Sequence, residues 1–226
     1  MIDLLAPDAR SERRLAIGLA LIAGYVDAYS LISYGLYVSF MSGNTTQSGS
    51  SLGHGMPAAA LPAVLAIVAF LFGSFAGTWI ARSKLPHARQ ALFGAIAAVL
   101  AVIIFGTALD NNAWPALLGI PLLAAAMGVM NATHSHVGAE PMSITFVTGT
   151  LHKTGTHLAL ALRHESVPDA QGPWDTHLRR AGVVASVWLG FFCGTIVSAF
   201  ASLRFGEWAL LLPLSALLAL ILPRRR

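Results

Sequence analysis

Asp27 is an acidic residue that lies well inside a long apolar segment of this 226-residue chain. A carboxylate in the apolar core of a membrane costs about 2.5–3.5 kcal/mol on the insertion scale, so such residues usually face the bundle interior or a water-filled cavity. A carboxyl group in that position can load and release a proton. This predicts that Asp27 is a proton or cation coupling site. The alternative is a hydrogen-bonded Asp27 that only locks helices together.

A polar motif that contains glycine occurs twice, each time after an apolar segment. Residues 39–45 read SFMSGNT and residues 145–150 read TFVTGT. Backbone polar groups cannot stay unpaired in lipid, so such breaks persist only where they are buried in protein or line a cavity. In transporters with internal repeats, paired interruptions at matching positions indicate the binding site.

The apolar segments before the two motifs also match each other. Residues 24–28 read GYVDA and residues 128–132 read GVMNA, which aligns Asp27 with Asn131. Asparagine keeps the shape of aspartate and much of its hydrogen bonding, but it lacks the charge. The predicted site is therefore similar in shape in both halves and titratable in only one.

The side chains of both motifs predict a substrate site. A hydroxyl residue precedes glycine in each copy, as expected where a chain turns into a helix capped by Ser or Thr. Helices that begin at Asn44 and Thr150 would direct backbone N–H groups into a cavity and favour an anionic or carbonyl-bearing ligand. The predicted ligand-binding residues are Asp27, Asn44, Thr45, Asn131, Thr148 and Thr150.

Three further side chains are secondary candidates. Tyr25 and Tyr29 flank Asp27 and could hydrogen-bond to it or stack on a substrate. Lys153, one turn into the second predicted helix, could add positive charge to the site. An equally good interpretation makes Lys153 one more cytoplasmic positive charge.

Several histidines invite a metal interpretation: His134, His136, His152 and His157. Their spacings match no recognised ligand pattern and no cysteine accompanies them. We therefore expect no metal site and no cofactor. The chain also lacks HExxH, GxSxG and paired carboxylates in its apolar segments, so we expect that it is not an enzyme.

The elements that must position these residues are membrane helices. The chain is 56% hydrophobic and 11% charged, against about 25% charged residues in soluble domains. Its basic residues cluster at the ends of apolar stretches, which argues for membrane topology and against nucleic-acid binding. Segments of about 20 apolar residues can span a membrane. The predicted spans are 14–34, 57–81, 90–109, 115–137, 178–203 and 206–223.

The charges predict the orientation of these spans. With six spans, all four basic clusters fall on one side, which the positive-inside rule assigns to the cytoplasm together with both termini. The clusters are Arg10, Arg13 and Arg14, then Arg82, Lys84 and Arg89, then Arg163, Arg179 and Arg180, and finally Arg224, Arg225 and Arg226.

An internal repeat follows from the same pattern. Residues 73–78 (GSFAGT) match residues 190–195 (GFFCGT), so each unit holds three spans and one break, and an odd number of spans inverts the second copy. The small-xxx-small stripes in both matches allow close helix packing and are compatible with a homodimer. We predict an all-α membrane protein with one domain over 1–226. It has six transmembrane helices in a 3+3 inverted repeat (about 14–110 and about 115–223), each half with a broken or re-entrant segment after its first helix.

The order GYVDA, SFMSGNT and TFVTGTL resembles the YoaK-like family of bacterial inner-membrane proteins, which is catalogued as a domain of unknown function. The similarity extends from about Ala16 to about Leu222, and Ser42 stands where the family often has Thr. Its signature positions match Asp27, Gly43, Asn44, Gly149 and Thr150. The resemblance implies a six-span protein of the bacterial inner membrane and supplies no substrate.

The favoured functional prediction is a small secondary transporter for a small polar or anionic metabolite, with proton coupling through Asp27. Its expected partners are a small-molecule substrate and the lipid bilayer, with no nucleic acid. The alternatives are a passive channel for a small solute and a non-transporting membrane scaffold.

Overall fold

The computed structural model describes residues 7–110, 116–133, 136–137, 140–141, 145, 147–168, 170 and 172–222. Phe146, His134 and Arg224–Arg226 lie outside the described residues, as does the side chain of His136. The helices are α1 (Pro7–Tyr34), α2 (Met41–Gly53), α3 (Pro57–Ala81), α4 (Ala88–Asp110), α5 (Ala116–Thr133), α6 (Val147–Leu162), α7 (His177–Phe205) and α8 (Leu211–Ile221). A 3-10 helix, Gly206–Leu210, joins α7 to α8, and the two-residue strands β1 (His136–Val137) and β2 (Glu140–Pro141) pair antiparallel.

Four helical stretches among the described residues are long and apolar enough to cross a membrane. They are Ser11–Tyr34, Pro57–Ala81, Ala88–Gly106 and His177–Ile221, and Leu117–Thr133 is a shorter apolar helix. The predicted span 57–81 coincides with α3. The last two predicted spans share the 45-residue stretch His177–Ile221, which turns at Gly206, where φ is +54°.

Helices α1 and α7 pack closely and run in the same direction. A Cβ added at Gly190 would lie 2.9 Å from the carbonyl oxygen of Ile17, and one added at Gly194 would lie 2.1 Å from that of Leu21. The later glycine of α7 contacts the later residue of α1, so the two helices are parallel. Glycine permits this approach because any larger residue would meet the backbone of the neighbouring helix.

Helices α3 and α5 form a second pair of the same kind. A Cβ added at Gly73 would lie 2.1 Å from the carbonyl oxygen of Ala125, and one added at Gly77 would lie 3.0 Å from Cα of Val129. This pair is also parallel. The later glycine of α3 contacts the later residue of α5, and both glycines face the backbone of α5.

Helices α4 and α8 complete the bundle. Trp208 and Leu214 lie near Phe105 late in α4, whereas Leu220 lies near Phe93 early in α4, so α8 runs antiparallel to α4. The core between the helices consists of fully buried aliphatic side chains, among them Leu19, Leu100, Ile103, Leu123 and Met127.

The helices of the two motifs begin earlier than predicted. Helix α2 begins at Met41 and α6 at Val147, not at Asn44 and Thr150, and the N-cap residue Phe40 makes no side-chain capping bond. The predicted hydroxyl cap of the first motif was therefore wrong. Gly43 instead provides room for the ring of Phe40, because a Cβ added at Gly43 would lie 2.3 Å from that ring.

Candidate functional site

Asp27 anchors the chain that follows α1. Its Oδ1 accepts hydrogen bonds from the backbone N–H groups of Val38 at 2.9 Å and Ser39 at 2.8 Å, and the residue is only 5% exposed. Asp27 lies about 10 Å before the end of α1 at Tyr34, given a rise of about 1.5 Å per residue. The chain therefore turns back along α1 by roughly two helical turns before α2 begins.

Asn131 makes the corresponding contacts in the second motif. Its Oδ1 accepts from the backbone N–H of Thr145 at 3.3 Å, and its Nδ2 donates to Oγ1 of Thr145 at 2.8 Å. Thr145 is the second-motif counterpart of Ser39. Each motif is thus tied to the helix before it by one side chain, a carboxylate in the first case and an amide in the second.

A cavity of about 600 Å³ lies between the two motifs. Its polar wall includes both anchors and the residues that they hold, together with the first turns of α2 and α6: Asp27, Ser39, Ser42, Asn131, Thr145 and Thr148. Its apolar wall is largely aromatic, with Tyr37, Phe40, Phe70 and Phe191. This combination of aromatic area and a few convergent polar groups is typical of small-molecule sites.

The structure brings three of the six predicted ligand-binding residues to the cavity. Asp27, Asn131 and Thr148 line it. The lining lacks Asn44, Thr45 and Thr150, whose side chains make local hydrogen bonds instead, as described next. A role in ligand binding stays a prediction for all six residues.

The three side chains outside the cavity make local hydrogen bonds near the starts of α2 and α6. Asn44 is 1% exposed, and its Nδ2 donates to the carbonyl oxygen of Tyr37 at 2.8 Å. The hydroxyl of Thr45 donates to the carbonyl oxygen of Met41, and that of Thr150 to the carbonyl oxygen of Val147. Asn44 therefore supports Tyr37, which does line the cavity.

The secondary candidates lie away from the cavity. The hydroxyl of Tyr25 donates to the carbonyl oxygen of Ala209 at 2.7 Å, and that of Tyr29 donates to the carboxylate of Glu207. Both tyrosines thus tie α1 to the 3-10 helix, and the expected hydrogen bond to Asp27 is replaced by these contacts. Lys153 is half-buried on α6 and outside the cavity lining.

Sequence reasoning missed the aromatic wall, although a signal for it exists. Phe70 and Phe191 each stand three residues before a glycine, Gly73 and Gly194, just as Phe40 precedes Gly43. The same Phe-x-x-Gly pattern ends in the second motif at Gly149. A phenylalanine in an apolar segment is usually a core or lipid-facing residue, so its spacing from glycine alone does not predict a cavity wall.

Within the described part of the chain, no group of three or more His, Cys, Asp or Glu side chains could hold a metal ion. Two of the described histidines do meet: Nδ1 of His157 on α6 lies 2.9 Å from Nδ1 of His177 at the start of α7. The two rings join α6 to α7.

Long apolar helices around a cavity with a few convergent polar groups indicate a multi-pass membrane protein. The chain belongs to the family described as "Protein of unknown function (DUF1275)", whose sequence profile matches residues 15–222. It is 33% identical over 227 residues to "UPF0700 transmembrane protein RA0705" of Rhizobium meliloti (strain 1021), and the alignment covers 95% of this chain and 91% of that relative. No solved structure matches the chain. The resemblance to the YoaK-like family is thereby confirmed.

Proposed function

We propose that this protein is a small secondary transporter that carries a small polar or anionic metabolite through the central cavity and couples its movement to a proton on Asp27. The observation that carries the proposal is the pair of anchors. Asp27 holds Ser39 and Asn131 holds Thr145, and both pairs line one cavity between two interrupted segments. Transporters with internal repeats place their sites at such paired breaks.

The proposal includes six spans in a 3+3 inverted repeat. Glycine contacts support it. A Cβ at Gly24 would lie 2.1 Å from the carbonyl oxygen of Phe191, and one at Gly128 would lie 2.2 Å from that of Phe70. The pair α1 with α7 thereby corresponds to the pair α5 with α3, as expected if the first helix of each half packs on the second helix of the other.

The contacts also favour a different register for the repeat. A Cβ added at Gly194 would lie 2.1 Å from the carbonyl oxygen of Leu21, and one added at Gly73 would lie 2.1 Å from that of Ala125. Gly73 therefore corresponds in packing to Gly194, whereas the glycine motifs had aligned Gly73 with Gly190. Gly190 and Gly194 are four residues apart, which is about one helical turn. The helix contacts therefore favour an alignment of the two halves that is shifted by one turn from the alignment of the glycine motifs.

The starts of α2 and α6 favour an anionic or carbonyl-bearing ligand. Met41 and Ser42 of α2, with Val147 and Thr148 of α6, line the cavity. The first backbone N–H groups of a helix have no partner within that helix and carry partial positive charge. Two helix starts at one cavity thus provide donors for a carboxylate or carbonyl group.

Asp27 supplies the proposed coupling in two ways. An ionised Asp27 would repel an anionic ligand in the same cavity, and a proton would remove that repulsion, so ligand and proton would favour each other's binding. Protonation would also weaken the charge-assisted bonds from Val38 and Ser39 and loosen the first break. Asn131 cannot titrate, so the second break would stay anchored.

We place both termini on the cytoplasmic side of a bacterial inner membrane. The basic side chains between the end of α3 and the first turn of α4, namely Arg82, Lys84 and Arg89, are exposed, as the positive-inside rule requires on the cytoplasmic side. In this arrangement α2 starts from the outer side of the cavity and α6 from the inner side.

Ligand identification and flux together test the proposal. A thermal-shift screen of metabolites would find compounds that bind the native protein, since these raise its stability. In proteoliposomes, an imposed pH gradient is expected to drive accumulation of such a compound. Asp27→Asn should abolish accumulation, and Glu207→Gln, a change at a carboxylate outside the cavity, should preserve it. Flux that needs no gradient and survives Asp27→Asn would instead identify a passive channel.

A further inference from the structure

The outer face of α3 carries a shallow groove of about 750 Å³ that the transport proposal does not use. Its lining residues recur at helical spacing along one face: Leu71, Phe75, Thr78, Trp79 and Arg82, flanked by Ser74 and Ser83. The aromatic rings of Phe75 and Trp79 are 63% and 72% exposed, and their centroids lie 6.1 Å apart. The face is therefore apolar along most of its length and cationic at one end.

The length of this groove matches one leaflet of a bilayer. From Leu71 to Arg82 the helix rises about 16 Å at about 1.5 Å per residue. The apolar core of a bilayer is about 30 Å thick, so one leaflet is about 15 Å. An acyl chain that lies along Leu71 and Phe75 would thus bring its headgroup to Arg82, with Trp79 at the interface, where tryptophan is enriched.

The charge at the end of the groove selects the headgroup. Arg82 is exposed, and residues 82–89 contain two further basic side chains, Lys84 and Arg89, and no acidic one. A guanidinium group binds phosphate with good geometry. Basic side chains at a membrane surface attract anionic lipids by about 1 kcal/mol each, which is about fivefold in affinity.

We propose that this groove binds one anionic phospholipid, with the acyl chain against Phe75 and Trp79 and the phosphate at Arg82. Thr78, one turn before Arg82, lies at the depth of the glycerol esters and presents its hydroxyl to them. The site is separate from the central cavity except at Ser74, which lines both. The proposal does not depend on transport, because a scaffold or a channel would carry the same groove.

Lipid retention tests this proposal. The full-length protein is reconstituted in nanodiscs of equal parts dioleoylphosphatidylglycerol and dioleoylphosphatidylcholine, extracted, and examined by native mass spectrometry. The wild type is expected to retain phosphatidylglycerol about fivefold over phosphatidylcholine. Arg82→Gln should lower the ratio most, towards one, whereas the control Lys84→Gln, a neighbouring charge outside the groove, should lower it much less. Trp79→Ala should reduce retention of both lipids.

Three results would overturn it. The two lipids could be retained equally by the wild type. Lys84→Gln could reduce the ratio as much as Arg82→Gln, which would indicate diffuse attraction with no defined site. Inorganic phosphate alone could stabilise the lipid-free protein through Arg82, which would replace the lipid with a free phosphate.

Discussion

The backbone N–H of Ser39 donates to Oδ1 of Asp27 at 2.8 Å, so the first interrupted segment is held to α1 by a group that can change its charge. The second segment is held by an amide, because the N–H of Thr145 donates to Oδ1 of Asn131 at 3.3 Å. Two similar tethers thus differ in one property. Only the first can respond to a proton.

The first prediction distinguishes the hydrogen bonds that Asp27 accepts from the effect of its charge. Asp27→Asn keeps an acceptor oxygen for Val38 and Ser39, as Asn131 does for Thr145, so we expect a change in unfolding free energy of less than about 1 kcal/mol. Asp27→Leu leaves two buried N–H groups without an acceptor, at about 1–3 kcal/mol each. Thermal unfolding in detergent measures both. Equal damage from the two variants would show that the charge itself holds the fold.

The glycine contacts give a second prediction. Gly24→Ala and Gly128→Ala would place a methyl group 2.1 and 2.2 Å from a carbonyl oxygen of the neighbouring helix. The helices must move apart, and we expect destabilisation of about 1–3 kcal/mol or more. Gly18→Ala on α1 is the matched control, since nothing lies within 4 Å of its added Cβ. Tolerance of all three changes would contradict the packing described for α1 with α7 and for α5 with α3.

The third prediction concerns the buried ion pair at the start of α7. Arg180 donates from Nε and Nη2 to both carboxylate oxygens of Asp175 at 2.9 and 2.8 Å, with side-chain exposures of 10% and 1%. Arg180→Ala leaves a buried carboxylate without this partner and should cost about 3–5 kcal/mol. Arg163→Ala removes the exposed pair with Glu165 and should cost less than about 1 kcal/mol. Comparable melting temperatures for the two variants would refute this difference.

Topology supplies a fourth prediction. His54 lies just after α2 and Arg163 just after α6, and both are exposed. In a Cys193→Ser background, we expect a membrane-impermeant thiol reagent to label His54→Cys in intact cells and Arg163→Cys only after permeabilisation. Labelling of both from the same side would exclude the inverted arrangement of the two halves.

The apolar segments could be predicted from the sequence because their length and composition are local properties. The predicted span 57–81 coincides with α3, and the span 178–203 differs from α7 by only one or two residues at its ends. The starts of α2 and α6 were missed by three residues. The position of Phe40 over Gly43 depends on how the chain turns back along α1, and a hydroxyl beside a glycine gives no signal for that.

Contacts between distant segments could not be predicted in the same way. Tyr25 and Tyr29 neighbour Asp27 in sequence, but their hydroxyls bind Ala209 and Glu207, more than 170 residues away. Successive residues of a helix face different directions, so proximity in sequence to Asp27 did not indicate a shared site. Asp27 could be predicted because a carboxylate inside an apolar segment is a local signal, and Asn131 could be predicted because it aligns with Asp27 in the repeat.

Hydrogen exchange at the backbone amides of Val38 and Ser39 tests most directly whether Asp27 holds the first break only while it is ionised. The protein is placed in nanodiscs, and exchange is corrected for its intrinsic pH dependence between pH 8 and pH 4. In the wild type, protection of these two amides should fall as the pH is lowered, because protonation weakens their bonds to Oδ1. In Asp27→Asn, and at the amide of Thr145, protection should not change. A similar pH response in Asp27→Asn, or none in the wild type, would contradict proton control of this segment.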